Sequence, residues 1–90
     1  MTIDAGAVLE RSPERNHRTY LKGVVIEPGL ALNESAADLY LKLDGEHTLE
    51  QLCTDLRSTY DAELDVLVQD AIAVCSELLE EGAVRVVGRA

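Results

Sequence analysis

GLALNESAADLYLKLDGEHTLEQL, residues 29–52, is the stretch on which the reading of this chain turns. It opens with Gly-Leu-Ala-Leu, where the apolar residues alternate as they do in a short, half-buried strand. The period then lengthens to about 3.6, so that Ala36, Leu39, Tyr40 and Leu43 share one helical face. Asn33 stands at the N-cap of that helix, and Asp44-Gly45 supplies a C-terminal stop. A second helix begins at once. Thr48-Leu49-Glu50-Gln51 fits a capping box, in which the Thr hydroxyl and the Gln side chain each satisfy the other residue's backbone N–H.

Downstream, the second helix is predicted from Leu49 to about Tyr60, with Leu49, Leu52, Cys53, Leu56 and Tyr60 as its buried stripe. A third is predicted over about 63–81, with Asp61 as its cap and Gly82 as its C-terminal glycine, followed by a short strand in AVRVV. Leu64, Leu67, Val68, Ala71, Ile72, Val74, Cys75, Leu78 and Leu79 cover an arc of roughly 160° on this third helix. That arc is wide for a helix with only two short neighbours to pack against. Upstream, AVLE, TYLKGVVIE and GLALN read as extended runs, with Pro28-Gly29 as turn chemistry before the last. The charged segment RSPERNHR, residues 11–18, reads as an exposed loop. The fold class is therefore α+β: a small three-stranded N-terminal antiparallel sheet, three helices and a short C-terminal strand. One domain over residues 1–90 is expected, with 1–6 and 88–90 flexible.

The core must be aliphatic, since the chain has no Phe or Trp and only three Tyr. Its formal charge of −9 repels phosphate backbones and anionic headgroups, which argues against nucleic-acid and membrane-surface partners. Cys53 and Cys75 show neither CxxC spacing nor a nearby His and are expected to be small buried hydrophobes. No apolar run is long enough to span a bilayer, and the N-terminus lacks the features of a signal peptide, so a cytoplasmic location is expected. The match of Asn33-Glu34-Ser35 to a glycosylation sequon is then a coincidence of the capping residue.

Chemistry finds little support. His17 and His47 are expected in loops without partners, no metal cluster or phosphate-binding glycine loop is present, and neither a catalytic residue nor a cofactor is assigned. An acyl carrier would need a serine after an Asp at a helix start, but Ser12, Ser35, Ser58 and Ser76 follow Arg, Glu, Arg and Cys. A winged-helix arrangement suits the order of elements. Reading DNA does not suit it, because residues 61–82 hold seven acidic residues and no Lys or Arg. Two means of binding polypeptide remain. One is an open strand edge able to pair with an extended peptide; the other is the margin of the third helix at Leu67, Ala71 and Val74, beside Asp70. The competing expectation is a capped edge and an arc that is all core.

The order of motifs, a strand running into Leu-Asn-Glu-Ser-Ala-Ala, an Asp-Gly stop, a Thr-capped helix, a Tyr-Asp junction and a long helix ending LLEEGAVRV, resembles PqqD-like proteins. These are the RiPP recognition element family of peptide chaperones, and the resemblance runs from about Val8 to Val87. It implies a winged-helix-like fold that binds the leader segment of a ribosomally made precursor peptide and presents the peptide to a modifying enzyme, for instance a radical SAM maturase. It also implies that the leader adds as a strand beside Gly29, Leu30, Ala31 and Leu32 and packs against Leu67, Asp70, Ala71 and Val74. The competing function is a structural or regulatory module that dimerises through the third-helix arc. The oligomeric state is not set by the sequence.

Overall fold

The computed structural model describes residues 3–89. Nine elements follow in order: β1 (Ala7–Arg11), β2 (His17–Tyr20), β3 (Gly23–Ile26), β4 (Leu30–Leu32), α1 (Glu34–Lys42), β5 (Asp44–Thr48), α2 (Leu49–Leu56), α3 (Leu64–Glu80) and β6 (Val84–Arg89). The fold is α+β, as the sequence predicts, with an N-terminal three-stranded antiparallel sheet, three helices and a C-terminal strand. The strands, however, are shared out between two sheets. One has the order β2-β3-β4, and the other the order β5-β1-β6.

That division refines the sequence reading at three points. TYLKGVVIE is not one strand, because the chain reverses at Leu21-Lys22 and pairs Tyr20 with Gly23. β2 thus begins inside the segment expected to be loop, and its four residues are all exposed. The first extended run joins the terminal strand instead: Leu9 lies opposite Val86 and Glu10 opposite Arg85, whose guanidinium pairs with the Glu10 carboxylate across the two strands. Asp44-Gly45 does end α1, with Gly45 in the left-handed region at φ 75°, and the segment then continues as the strand β5. The Asp44 carboxylate accepts the N–H groups of Glu46 and His47, and it lies 2.6 Å from the His47 ring nitrogen. These bonds hold its pKa down at about 2, the Glu46 N–H being the largest cause. Both histidines are exposed, and both sit in strands rather than loops.

The caps of α1 and α2 are those the sequence predicts. Asn33 accepts the Ala36 N–H at 2.9 Å, and the Thr48–Gln51 capping box is complete, at 2.8 and 3.1 Å. α2 is shorter than predicted, ending at Leu56, and turns carry the chain to Tyr60. α3 starts at Leu64 with Glu63, not Asp61, at its N-cap, and no side chain caps it. Gly82, at φ 72°, takes the left-handed position after its end.

One core joins the two sheets and the helices. Leu9 of β1, Val24 and Ile26 of β3, Leu39, Tyr40 and Leu43 of α1 and its end, Leu49 and Cys53 of α2, Cys75 and Leu78 of α3 and Val84 of β6 are all buried in it. Both cysteines are free thiols buried in that core, and desolvation pushes the Cys75 thiol up to about 12. Ile3 also packs into the core, and Gly88 and Arg89 lie opposite Val8 and Ala7 in the β1–β6 pairing. Met1, Thr2 and Ala90 lie outside the described residues. Among the described residues no helix is long and apolar enough to cross a membrane.

Candidate peptide-binding groove

Among the described residues β4 hydrogen-bonds to β3 alone, with Val24 opposite Leu32, Val25 opposite Ala31 and Ile26 opposite Leu30. Residues of a strand turn their backbone groups alternately to either side. The Leu32 carbonyl points at β3, since a Cβ placed on Gly23 would fall on its oxygen. Ala31, one residue earlier, therefore turns its N–H and C=O toward the open side, and Ala31 is itself exposed. Leu30 and Leu32 face inward and are half-buried. β4 is an edge with a backbone donor and acceptor to offer, and nothing in its Leu-Ala-Leu sequence blocks pairing.

α3 supplies the second candidate surface. Of its nine-residue apolar arc, only Ala71, Cys75 and Leu78 are buried; Leu64, Leu67, Val68, Ile72, Val74 and Leu79 pack against the core but are only partly buried. The arc is thus not all core. Leu67, Asp70, Ala71 and Val74 come together in one pocket of about 70 Å³. Ser35, Ala36 and Leu39 of α1 close it from one side, and Cys53, Leu56 and Tyr60 from another. Tyr60 is held there by donating its hydroxyl to the Asp38 carboxylate, a bond that, with some desolvation, pushes its pKa up to about 12. The Cys53 thiol is raised as well, by burial first and by the Asp70 carboxylate second.

The opposite end of β4 meets the opposite end of α3. Gly29 and Leu30 line a separate cleft with Arg15, Pro28 and Glu81. Arg15 ties this end together, its Nε donating to the Glu27 carbonyl at 2.8 Å and its Nη1 to the Glu81 carbonyl just past the helix end. β4 and α3 therefore run in opposite directions, with the apolar pocket at the Ser35 end and Arg15 at the Gly29 end. From Leu67 to Glu81 the helix spans about 21 Å, the length of roughly six residues of extended chain.

The eight residues singled out in the sequence thus fall in two groups. The four on α3 share the apolar pocket, Gly29 and Leu30 share the Arg15 cleft, and Ala31 and Leu32 lie on the strand between the two ends. Sequence reasoning missed the pocket's contributions from Ser35, Cys53, Leu56 and Tyr60. Helical spacing marks Cys53, Leu56 and Tyr60 only as core-facing and leaves Ser35 off the apolar face of α1, and no local signal separates a pocket wall from a filled interior.

Among the described residues no group of His, Cys, Asp and Glu is placed to hold a metal ion. What the arrangement offers is backbone pairing along β4, a small apolar socket and a carboxylate at its rim. An α+β domain with an open strand edge and a partly buried apolar helix flank has the parts of a polypeptide-binding module. The model of the PqqD family, coenzyme PQQ synthesis protein D, matches residues 23–84, and the chain belongs to that family. The matched region runs from β3 to the start of β6 and so contains β4, α3 and the pocket between the helices. Members of this family are non-catalytic, peptide-binding accessory proteins of coenzyme PQQ biosynthesis. Neither the curated proteins nor the solved structures include a match to this chain.

Proposed function

We propose that this chain is a peptide chaperone that captures the leader segment of a ribosomally made precursor peptide as an added strand on β4 and presents the peptide to a modifying enzyme, of the radical SAM class or another, in the cytoplasm. The observations that carry this reading are an open β4 edge and an apolar α3 flank left only partly buried, in a chain of the PqqD family. Backbone bonds to Ala31 supply affinity that tolerates many sequences. A short apolar leader side chain seated among Leu67, Ala71 and Val74 supplies selectivity. Asp70 at the pocket and Glu77 and Glu81 further along α3 favour a leader with Lys or Arg nearby and hasten its capture, an effect that falls as salt rises.

The test is a titration of isotope-labelled protein with the synthetic leader of a precursor peptide encoded beside its gene, followed by NMR. Amide shifts concentrated at residues 29–32 and 67–74 are expected. Gly23→Ala is the matched variant, because its Cβ collides with the Leu32 carbonyl and forces β4 away from β3; a loss of leader affinity of at least tenfold is expected. Shifts confined to the β5-β1-β6 sheet, or leader affinity indifferent to Gly23→Ala in a folded variant, would remove the strand-addition reading. A stable dimer without leader affinity would favour the dimerising module instead.

A further inference from the structure

Tyr40 is fully buried, yet its hydroxyl has no hydrogen-bond partner among the described residues. A buried hydroxyl left in that state costs about 1–3 kcal/mol, so its retention calls for a reason. The cleft that Tyr40 lines is built by the end of β1, the start of β2 and the segment between them: Arg11, Ser12, Pro13, Arg15, Asn16 and His17 form the rest of its wall. In a chain of formal charge −9 with only eight Lys and Arg, two arginines meeting at one cleft is a local reversal of sign.

Arg11, His17 and Arg15 are each held in place by the fold. The Arg11 guanidinium donates through Nη1 to the Leu41 carbonyl at 2.7 Å and lies 5.9 Å from the centre of the Tyr40 ring. His17 packs edge-on against the same ring, with centroids 5.3 Å apart. Arg15 donates to the carbonyls of Glu27 and Glu81. A guanidinium carries five N–H donors, so both arginines keep donors beyond these bonds. Burial raises the Tyr40 pKa while the charges of Arg11 and Arg15 pull it down, in keeping with two cations close to the hydroxyl. The acidic residues of this region are not aimed into the cleft: Glu10 is paired with Arg85, Glu27 with Arg18 at 3.7 Å, and Glu14 is exposed and not part of the wall.

We propose that this cleft is a second binding site, for a small oxyanion, in which the Tyr40 hydroxyl donates a hydrogen bond to the anion and Arg11 and Arg15 neutralise it. Carboxylate and phosphate share this chemistry, as acceptors of charge-assisted bonds from a guanidinium fork. Arg15 lines both this cleft and the Gly29 end of the groove, so an anion bound here braces the side chain that ties the β3–β4 turn to the end of α3. The site does not depend on the peptide reading, and its test needs no peptide.

Labelled protein is titrated with sodium phosphate and, separately, with sodium acetate, each against sodium chloride at matched ionic strength. Thermal melts are recorded under the same conditions. Saturable shifts at Tyr40, His17 and Arg11 and a raised Tm are expected in at least one oxyanion. Phosphate alone identifies a tetrahedral ligand and acetate alone a carboxylate. Tyr40→Phe keeps the ring in the core and removes the donor, so it should weaken anion binding roughly fivefold, the worth of one hydrogen bond. The same variant should melt at or above the wild-type temperature in chloride, where the hydroxyl is the group without a partner. Shifts no larger than those in chloride, or Tyr40→Phe binding the anion as tightly as wild type, would overturn the proposal.

Discussion

Leu21 sits at the tip of the β2–β3 hairpin with φ 54° and 86% of its surface exposed. A left-handed backbone costs a residue with a Cβ about 1–2 kcal/mol, and Leu21 has no packing to set against that cost. Leu21→Asn, which tolerates the conformation, is expected to raise stability by about 0.5–1 kcal/mol in urea unfolding. An unchanged or lower midpoint would mean that the exposed side chain has contacts that offset the strain. Turn chemistry explains why this residue escaped the sequence reading. Two-residue hairpins usually announce themselves with Asn or Gly at their centre, and Leu-Lys does neither. By contrast Asn33, Thr48 and Gln51 were legible because a cap is a local bargain between a side chain and a backbone N–H three residues away.

Helices show the same contrast one level up. α1 and α2 both begin at side-chain caps, whereas α3, the longest, begins at Glu63 with none. Glu63→Ser is expected to add roughly 0.5–1 kcal/mol, and Thr48→Ala to remove about 1 kcal/mol by breaking the capping box. Urea unfolding of both variants checks the pair, and a Glu63→Ser protein no more stable than wild type would show that tertiary packing already fixes the start of α3. The periodicity of α3 was plain in the sequence. How much of its arc stays uncovered was not, because α1 and α2 are too short to span it and this can be known only once they are placed. The candidate groove exists because of that mismatch.

Across the whole molecule, two three-stranded sheets share one core, so neither is expected to melt alone. Leu9, with 1% of its surface exposed, belongs to β1 at the centre of the β5-β1-β6 sheet and packs in the same cluster as Val24 and Ile26 of the other sheet. Leu9→Ala is expected to cost about 2–5 kcal/mol, much of the stability of a domain this size. Backbone signals of both sheets should be lost at a single, lowered urea midpoint. Separate transitions for the two sheets would show that the shared core does not couple them.

The sequence by itself determined what depends on neighbours within a few residues: the three helices, the side-chain caps of α1 and α2, the glycines Gly45 and Gly82 that follow α1 and α3, the alternation of β1, β3 and β4, and the aliphatic character of the core. The order of these short motifs also carried the family resemblance. Tertiary structure alone decided which strands pair, because β1 finds β6 across some 75 residues through backbone hydrogen bonds that carry no sequence code. It decided, too, that among the described residues β4 keeps one edge open and the buried Tyr40 hydroxyl finds no partner, since whether a surface is covered depends on every other element in the fold.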